Sequence, residues 1–351
     1  MWMRFAMNKT LILLFRSLNI LYALFGMKLL ITGGAGFIGS NFIHYLLRKY
    51  PDYEIINLDK LTYAGNLENL RDIEKNPHYR FIQGDIRDEK IVNDIVQTGI
   101  DVIVNYAAET HVDRSITGPR DFLETDVLGT FTLLEAARKY GIQKYIQIST
   151  DEVYGSITQG KFTEESPFLP NSPYSASKAG GDHLCRAYHV TYGLPVIVTH
   201  SCNVYGPYQY PEKVIPLFVT HLIRGKKVPL YGDGENIREW LFVEDHCRAI
   251  DLIIHHGKAG EVYNIGSGHE ISNKQLTTLI LDAFQLGEDW IEYVPDRLGH
   301  DRRYAIDFSK LSRTLGYAPQ HPFTETLQQT ITWYKNNHSW WKPLLINTEQ
   351  P

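Results

Sequence analysis

The sequence predicts an α/β protein with a Rossmann-type, doubly wound parallel sheet and a smaller mixed α/β domain. Short apolar runs alternate with helix-period segments from Lys28 to about Leu194, the order expected of repeated strand–helix–strand units. The predicted strands are apolar on both sides, as in sheets that helices cover on both faces. A glycine-rich segment joins the first strand to the first helix. Beyond Leu194, Pro- and Gly-rich loops interrupt this alternation and predict the smaller domain.

Each element is predicted from its own residue pattern. Apolar, β-branched runs predict strands, and an apolar residue at every third or fourth position predicts a helix. The predicted strands cover residues 28–32, 54–59, 80–85, 101–108, 144–148, 195–201 and 261–266. The predicted helices cover residues 40–49, 90–99, 127–141, the surroundings of 174–178, and 214–224, with Gly141 as a C-cap.

Composition narrows the class of protein. A chain of 351 residues with 43% hydrophobic residues is long enough for one large or two smaller domains. Its net charge of −5 shows no basic bias, so no nucleic-acid partner is expected. Three widely spaced cysteines, Cys185, Cys202 and Cys247, argue against a disulfide framework and against a zinc site. They fit a reducing compartment, and we expect a cytoplasmic protein without a metal.

Residues 1–26 are expected to be an extension outside the core. Their early positive charges and apolar runs raise the possibility of a signal peptide. However, Arg16 and Asn19 interrupt the runs, which leaves no uncharged span of ~18 residues for a membrane helix. Met27 is a natural start for a compact domain. We therefore interpret the extension as an over-called start site, a poorly ordered arm or a weak peripheral anchor, and we expect no membrane partner.

The segment "TGGAGFIG" predicts a dinucleotide site. Gly33, Gly36 and Gly39 allow a tight turn, a close approach of the backbone to a pyrophosphate, and packing of helix on strand. The helix that follows offers free N–H groups to the phosphates. Asp59, at the end of the second strand, would accept hydrogen bonds from a ribose 2′-hydroxyl and favours NAD over NADP. Asp85 is interpreted as an adenine contact. Either aspartate alone is equally consistent with a turn or a helix cap.

Two further motifs carry candidate catalytic groups. In "YSASK", Tyr174 and Lys178 lie one helical turn apart on the same face. A nearby ammonium favours the phenolate, so we expect a lowered Tyr174 pKa and a role as base at an alcohol. In "STDEVYG", Thr150, Asp151 and Glu152 follow a buried strand. In isolation these motifs are typical of an exposed helix pair and a solvated loop, but the dinucleotide motif upstream favours catalysis.

Together these motifs resemble the extended short-chain dehydrogenase/reductases, an NAD-dependent epimerase/dehydratase family that acts on nucleotide sugars. The resemblance covers Met27 to about Tyr317. Within it, "STDEVYG", "YGPYQYPEKVIPLF", "REWLFVEDHCRAI" and "DRLGHDRRYAID" are similar to the 4,6-dehydratases of the family. The resemblance implies tightly bound NAD that is regenerated at each turnover, and dTDP-glucose as the substrate. The alternatives are a UDP-sugar 4,6-dehydratase, an NAD-dependent sugar-nucleotide 4-epimerase, and a nucleotide-sensing binding protein without turnover.

The resemblance also implies a role for each catalytic residue. Tyr174, paired with Lys178, would take the proton of the sugar 4-hydroxyl while carbon 4 is oxidised, and Thr150 would hydrogen-bond the same oxygen. Glu152 would then remove the proton from carbon 5. Asp151, in its protonated form, would donate to the departing 6-hydroxyl before a hydride returns to carbon 6. Adjacent carboxylates in a dry pocket disfavour double ionisation, which raises one of the two pKa values.

Binding residues, domains and assembly are carried over in the same way. The NAD set is Gly33, Gly36, Phe37, Ile38, Gly39, Asp59, Lys60, Thr62, Asp85, Ile86, Ala107, Ala108, Tyr174 and Lys178. The substrate set is His111, Thr150, Asn203, Lys213, Arg238, Asn273, Asp296, Arg297 and His300. The expected NAD-binding domain is 27–203 with a returning segment near 239–265, the nucleotide-sugar domain is 204–238 and 266–335, and the tail is 336–351. Helices near 127–140 and 174–191 match those that pair subunits in the family, so we expect a homodimer.

Three positions depart from the pattern of the family. Asp126 and His200 each stand where an asparagine is usual, and Leu298 stands in place of a proline in the nucleotide loop. The asparagine at the first position helps to hold the active-site backbone, so Asp126 is expected to alter the rate or its pH dependence. Leu298 bears on which base is recognised.

Overall fold

The computed structural model describes residues 26–347. The predicted extension, apart from Gly26, and residues 348–351 of the predicted tail lie outside this range. The strands are β1 (Lys28–Thr32), β2 (Glu54–Asp59), β3 (Tyr79–Gln83), β4 (Val102–Asn105), β5 (Lys144–Thr150), β6 (Val196–Ser201), β7 (Asn203–Tyr205), β8 (Val228–Tyr231), β9 (Ile237–Phe242), β10 (Val262–Ile265), β11 (Glu270–Ser272) and β12 (Ile291–Val294).

Helices connect most of these strands. They are α1 (Phe37–Lys49), α2 (Glu89–Val96), α3 (Val112–Thr117), α4 (Pro119–Phe122), α5 (Thr130–Tyr140), α6 (Pro173–Tyr192), α7 (Val214–Ile223), α8 (Val243–His256), α9 (Asn273–Ala283), α10 (Ser309–Leu315), α11 (Phe323–Asn336) and α12 (His338–Trp341). A π-helical stretch, Leu123–Gly129, leads into α5. Short 3₁₀ turns occupy Leu67–Ile73, Asp151–Tyr154, Glu288–Trp290 and Lys342–Asn347. Between Gly26 and Asn347, no helix combines the length and the apolar composition that crossing a membrane requires.

The main sheet has seven strands in the order β3–β2–β1–β4–β5–β6–β10, and every neighbouring pair is parallel. The predicted α/β Rossmann-type fold is therefore confirmed. The strand order reverses between β1 and β4. In sheets of this kind, ligands bind outside the carboxyl ends of the strands at such a reversal.

Both faces of this sheet are buried. In β1, Leu29 and Ile31 belong to one apolar cluster, whereas Leu30 belongs to a second cluster on the opposite face. This division follows from the alternation of side chains along a strand. It also explains why the strand is apolar at each of these positions, as predicted for a sheet between two helical layers.

Two smaller sheets stand beside the main one. β9 pairs with β7 in parallel and with β11 in antiparallel orientation, and β8 pairs with β12 in parallel. After β9, helix α8 carries the chain to β10, which forms the edge of the main sheet next to β6. Consecutive stretches of the chain thus contribute to different sheets.

Two strand ends differ from the prediction in ways that matter for the site. β5 continues past Ile148 because Ser149 and Thr150 pair in register with β6. β3 ends at Gln83, so the prediction that Asp85 ends this strand is wrong. The Asp85 carboxylate instead accepts a hydrogen bond from the Arg87 N–H at 2.9 Å and so stabilises a turn after the strand.

Candidate active site

A cavity of about 630 Å³ opens at the carboxyl ends of the main strands. Every residue predicted for catalysis or for NAD lines it, and so do all the predicted substrate residues except Asp296. Asp296 lies outside this lining, where its carboxylate accepts hydrogen bonds from His300 Nδ1 at 2.6 Å and from the Arg297 N–H at 2.9 Å. It therefore orients two lining residues, which a motif alone does not reveal.

The glycine-rich turn builds one end of the cavity. Gly33 has a φ of +66°, and a Cβ there would lie 2.6 Å from the Ala107 nitrogen. A Cβ on Gly39 would lie 2.5 Å from the Gly33 carbonyl oxygen. Gly36 is the N-cap of α1 and makes no side-chain capping hydrogen bond, so the first N–H groups of the helix are available to an anion. This cradle fits the pyrophosphate of a dinucleotide.

Asp59 is held in place at the end of β2. Its two carboxylate oxygens accept hydrogen bonds from the backbone N–H groups of Ala35 at 2.9 Å and Leu61 at 2.8 Å. Burial raises the pKa of Asp59, and these two hydrogen bonds oppose that effect. Each oxygen keeps a lone pair with which it can accept a ribose hydroxyl.

Asp85 is bound by two cations. Lys60 Nζ lies 3.0 Å and Arg87 Nη2 lies 2.7 Å from its Oδ2 atom. Burial opposes ionisation, but hydrogen bonds from Arg87 and Lys60 lower the pKa of Asp85 to about 2. Because both cations are paired with Asp85, they are engaged away from Asp59, in keeping with a site that favours NAD over NADP.

Tyr174 and Lys178 lie in the first turns of α6. The helix begins with a capping box, in which Ser172 and Ser175 exchange side-chain and backbone hydrogen bonds. Lys178 Nζ donates to the Ile148 carbonyl of β5 at 2.8 Å and thereby fixes the helix to the central strand.

The prediction of a lowered Tyr174 pKa is wrong for the protein by itself. Burial raises the pKa of Tyr174 well above its ordinary value, and the charges of Glu152 and Asp126 raise it further. A hydrogen bond with Thr150 opposes these effects. The spacing of the motif places an ammonium nearby, but it does not disclose the carboxylates that other segments bring to the same place.

The acid pair lies in the 3₁₀ turn that follows β5. Thr150 Oγ1 caps this turn by accepting a hydrogen bond from the Glu152 N–H at 3.2 Å. Asp151 is buried, and its Oδ2 atom has no hydrogen-bond partner among the described residues. The pair therefore faces the cavity from a fixed backbone, while one carboxylate oxygen of Asp151 remains unpaired.

The two carboxyl groups differ in their surroundings. Burial, Glu152 and Glu239 together raise the pKa of Asp151 well above its ordinary value. Burial also raises the pKa of Glu152, but the positive charges of Arg297, Arg238 and Lys213 oppose that effect. Asp151 is therefore the better proton donor, and Glu152 is the better base.

Three cationic side chains also line the cavity. Arg238 Nη2 donates to the Asp301 carbonyl at 2.9 Å, and the guanidinium lies over the Tyr304 ring. Lys213 Nζ donates to the Thr110 carbonyl at 2.6 Å, and Arg297 lies 3.7 Å from the Asp113 carboxylate. Together these three positive groups can bind a diphosphate.

Sequence reasoning missed a buried polar network behind Thr150. Asp182 Oδ2 accepts a hydrogen bond from Ser149 Oγ at 2.7 Å and lies 3.1 Å from His200 Nε2. The other ring nitrogen of His200 lies 2.6 Å from the hydroxyl of Tyr154, which is in the same turn as the acid pair. The sequence marks His200 only as an unusual residue, since no spacing relates it to Asp182 or Tyr154.

The fold and this site define a class, the nucleotide-dependent enzymes of the extended short-chain dehydrogenase/reductase type. Over residues 30–330, the sequence matches the family model described as GDP-mannose 4,6 dehydratase. The chain belongs to this family, and the predicted resemblance is confirmed.

Individual relatives are similar over nearly their whole length. A dTDP-glucose 4,6-dehydratase of Streptomyces antibioticus is 53% identical over 323 residues, which is 91% of this chain and 95% of that protein. A similar solved structure is the crystal structure of DesIV, a dTDP-glucose 4,6-dehydratase from Streptomyces venezuelae with NAD and TYD bound. It matches this chain with a TM-score of 0.89 and 53% identity, and the match covers 91% of this chain and 100% of DesIV. The UDP-glucose 4-epimerase of Thermotoga maritima has a TM-score of 0.83 and 31% identity, with 89% and 100% covered.

We expect Gly33→Ala to weaken NAD binding by at least about 100-fold. The new Cβ would occupy a positive-φ position and would lie within 2.8 Å of three atoms of the Tyr106–Ala107 backbone. Isothermal titration of the purified apoprotein with NAD measures the effect. Gly160→Ala is the matched control, because this glycine also has a positive φ but a Cβ there meets no atom within 4 Å. Equal loss of affinity in the two variants would contradict the proposed cradle.

Proposed function

We propose that this protein is an NAD-dependent dTDP-glucose 4,6-dehydratase, a hydro-lyase that forms dTDP-4-keto-6-deoxyglucose. One observation carries the proposal: Asp151 and Glu152 face the same cavity as Tyr174 and Lys178. Oxidation at carbon 4 needs a base at the hydroxyl, whereas elimination of water needs an acid and a base in addition. The similarity to enzymes named for this reaction supports the choice of sugar and nucleotide.

NAD occupies the glycine-lined end of the cavity in this proposal. The N–H groups at the start of α1 hold its pyrophosphate, and Asp59 accepts from its ribose. The chemistry that NAD supplies when bound is reversible acceptance of a hydride, so the overall reaction consumes no oxidant. Structures of similar enzymes determined with NAD support this assignment.

The first step belongs to Tyr174, which takes the proton of the sugar 4-hydroxyl. Because the pKa of Tyr174 is raised, the phenolate can form only if positive charge in the loaded site stabilises it. Lys178 contributes such a charge from the same face of α6. Thr150 hydrogen-bonds with Tyr174 and is therefore placed to orient the same substrate oxygen. The 4-ketone that results acidifies the proton on carbon 5.

The second step belongs to the acid pair. Glu152, whose negative charge is favoured by Arg297, Arg238 and Lys213, removes the carbon-5 proton. Asp151, which its surroundings keep protonated, donates its own carboxyl proton to the 6-hydroxyl, which leaves as water.

The substrate diphosphate lies against Arg238, Arg297 and Lys213 in this arrangement. His111, Asn203, Asn273 and His300 also line the cavity. In this proposal His111 and Asn203 contact the hexose and the diphosphate, and Asn273 and His300 contact the nucleotide. The Oδ1 atom of Asn203 is buried without a hydrogen-bond partner in the described part of the chain, which suits a group that awaits a polar ligand.

We further propose that the protein acts as a homodimer in the cytoplasm. The outer sides of the π-helical stretch, α5 and α6 expose apolar side chains: Leu123, Leu128, Phe131, Val190 and Tyr192. An apolar surface on adjacent helices favours association with a second copy. All three cysteines are buried and free, which is consistent with a reducing compartment.

Incubation of the purified protein with dTDP-glucose and NAD should yield a 4-keto product, detected by its absorbance after addition of alkali. We expect UDP-glucose to react at least about tenfold more slowly in the same assay, because dTDP-glucose is the proposed substrate. If neither dTDP-glucose nor UDP-glucose gave a 4-keto product, the proposed function would be overturned. Faster turnover of UDP-glucose would overturn the choice of nucleotide alone.

We expect Glu152→Gln to lower turnover by roughly 100-fold or more, the usual contribution of a general base. The variant should still oxidise carbon 4, so absorbance of reduced cofactor at about 340 nm should accumulate on the enzyme. Glu292→Gln, at an exposed glutamate of β12, is the control that keeps full turnover. Unchanged turnover by Glu152→Gln would exclude Glu152 as the base.

Val190→Asp should convert the proposed dimer to a monomer. Val190 is 66% exposed on α6, so the change costs the isolated subunit little but would bury a charge in the interface. Sedimentation velocity at micromolar concentration should give a dimer dissociation constant at least about 100-fold larger than that of the parent. Tyr293→Asp, at another exposed apolar residue, should remain dimeric. A monomeric parent protein would contradict the proposed assembly.

A further inference from the structure

Asp126 is a buried carboxyl group that the proposed reaction steps do not use. It lies in the π-helical stretch, is 2% exposed, and is not part of the cavity lining. Its Oδ2 atom accepts a hydrogen bond from Ser177 Oγ at 2.6 Å, and its Oδ1 atom accepts one from the Glu109 N–H at 3.3 Å. A buried carboxylate with so few partners is costly, so its presence beside the site calls for a physical explanation.

The position of Asp126 couples it to the Tyr174–Lys178 pair. Ser177 precedes Lys178 in α6, and the Tyr174 carbonyl oxygen lies 2.8 Å from the same Oγ atom, so the one hydroxyl hydrogen is shared between this carbonyl and Asp126. The π-helical stretch packs closely on α6, since a Cβ on Gly181 would lie 2.8 Å from the Asp126 carbonyl oxygen. The carboxylate is thus fixed against the turn of α6 that carries both members of the pair.

The charged surroundings of Asp126 come from two directions. On α6 they are Lys178, which favours its ionised form, Asp182, which opposes that form, and Tyr174, whose phenolate it repels. From the loop after β4, the Glu109 carboxyl group faces it, and Asp121 of α4 acts on Glu109 in turn. Burial raises the pKa of Asp126 to about 6, while Lys178 and Ser177 act in the opposite direction.

We propose that Asp126 is a positioning residue whose negative charge sets the pH range in which Tyr174 can act as the base. The proposal rests on the proposed function, in which Tyr174 takes the proton of the 4-hydroxyl. A negative charge fixed near a phenol disfavours the phenolate, so it moves the onset of oxidation toward higher pH.

The charge can be separated from the hydrogen bonds by substitution. In Asp126→Asn, the amide oxygen can accept from the Glu109 N–H, and the amide nitrogen can donate to Ser177 Oγ. Ser177 Oγ can continue to donate to the Tyr174 carbonyl. The variant thus keeps the contacts and loses only the charge. In Ser177→Thr, the hydroxyl and the charge both remain, and only the packing of this buried side chain changes.

The test is the pH dependence of dTDP-glucose turnover in the two variants and the parent. We expect the acid limb of the kcat profile of Asp126→Asn to move about one pH unit toward lower pH. A shift of about this size is expected when an ionising group loses one partly screened charge several ångströms away. Ser177→Thr, which keeps the hydroxyl and the charge, should keep the acid limb of the parent. Asp126→Ser, which is also uncharged, provides the same test if the amide is not accommodated.

A second readout does not depend on turnover. The ultraviolet absorbance of tyrosinate is titrated in each protein and in its Tyr174→Phe counterpart, and the difference reports the ionisation of Tyr174 alone. In the Asp126→Asn background, this ionisation should also move to lower pH. Superimposable titrations and kcat profiles of Asp126→Asn and the parent would overturn the inference, and so would an equal shift in Ser177→Thr. Absence of 4-keto product from the parent would overturn the proposed function, while the tyrosinate titration would still decide the role of Asp126.

Discussion

The site depends on how the central strand β5 ends. Ser149 and Thr150 remain in register with β6, and only then does the chain enter the 3₁₀ turn of the acid pair. The hydrogen bond from Lys178 to the Ile148 carbonyl joins α6 to the same strand end. The Tyr–Lys pair and the acid pair are therefore positioned by one short segment of buried backbone. Precise mutual placement follows from the rigidity of that segment and needs no contact between the two pairs.

The buried network around Asp182 reinforces this strand end. It connects β5 through Ser149, β6 through His200, and the 3₁₀ turn through Tyr154, while Asp182 itself belongs to α6. Four elements that carry or flank the reacting groups thus share one set of hydrogen bonds. Because a buried polar group that loses its partner costs free energy, each member of the network restrains the others. His200, unusual at this position, takes part through both ring nitrogens.

Local sequence was sufficient for the features that depend on backbone geometry. The glycine turn, the Tyr174–Lys178 spacing and the parallel sheet follow from steric requirements that adjacent residues reveal, and the structure and the family match confirm the fold. Electrostatic properties were harder to predict, because they depend on residues distant in sequence. The raised pKa of Tyr174 results from Glu152 and Asp126 as well as from burial. Such contacts arise only when loops far apart in the chain meet.

Asp151 and Glu152 also show this difference between what local sequence predicts and what distant residues determine. Sequence shows that two carboxyl groups lie side by side, and only the resemblance to the family indicates that Asp151 is the acid. The 3₁₀ turn points the two side chains into different surroundings, with Glu239 acting on Asp151 and the arginines and Lys213 acting on Glu152. The cations proposed to bind the substrate diphosphate therefore also favour the ionised form of the neighbouring base. When a diphosphate neutralises part of that positive charge, the pKa of Glu152 should rise, so substrate binding itself would make Glu152 a stronger base for the carbon-5 proton.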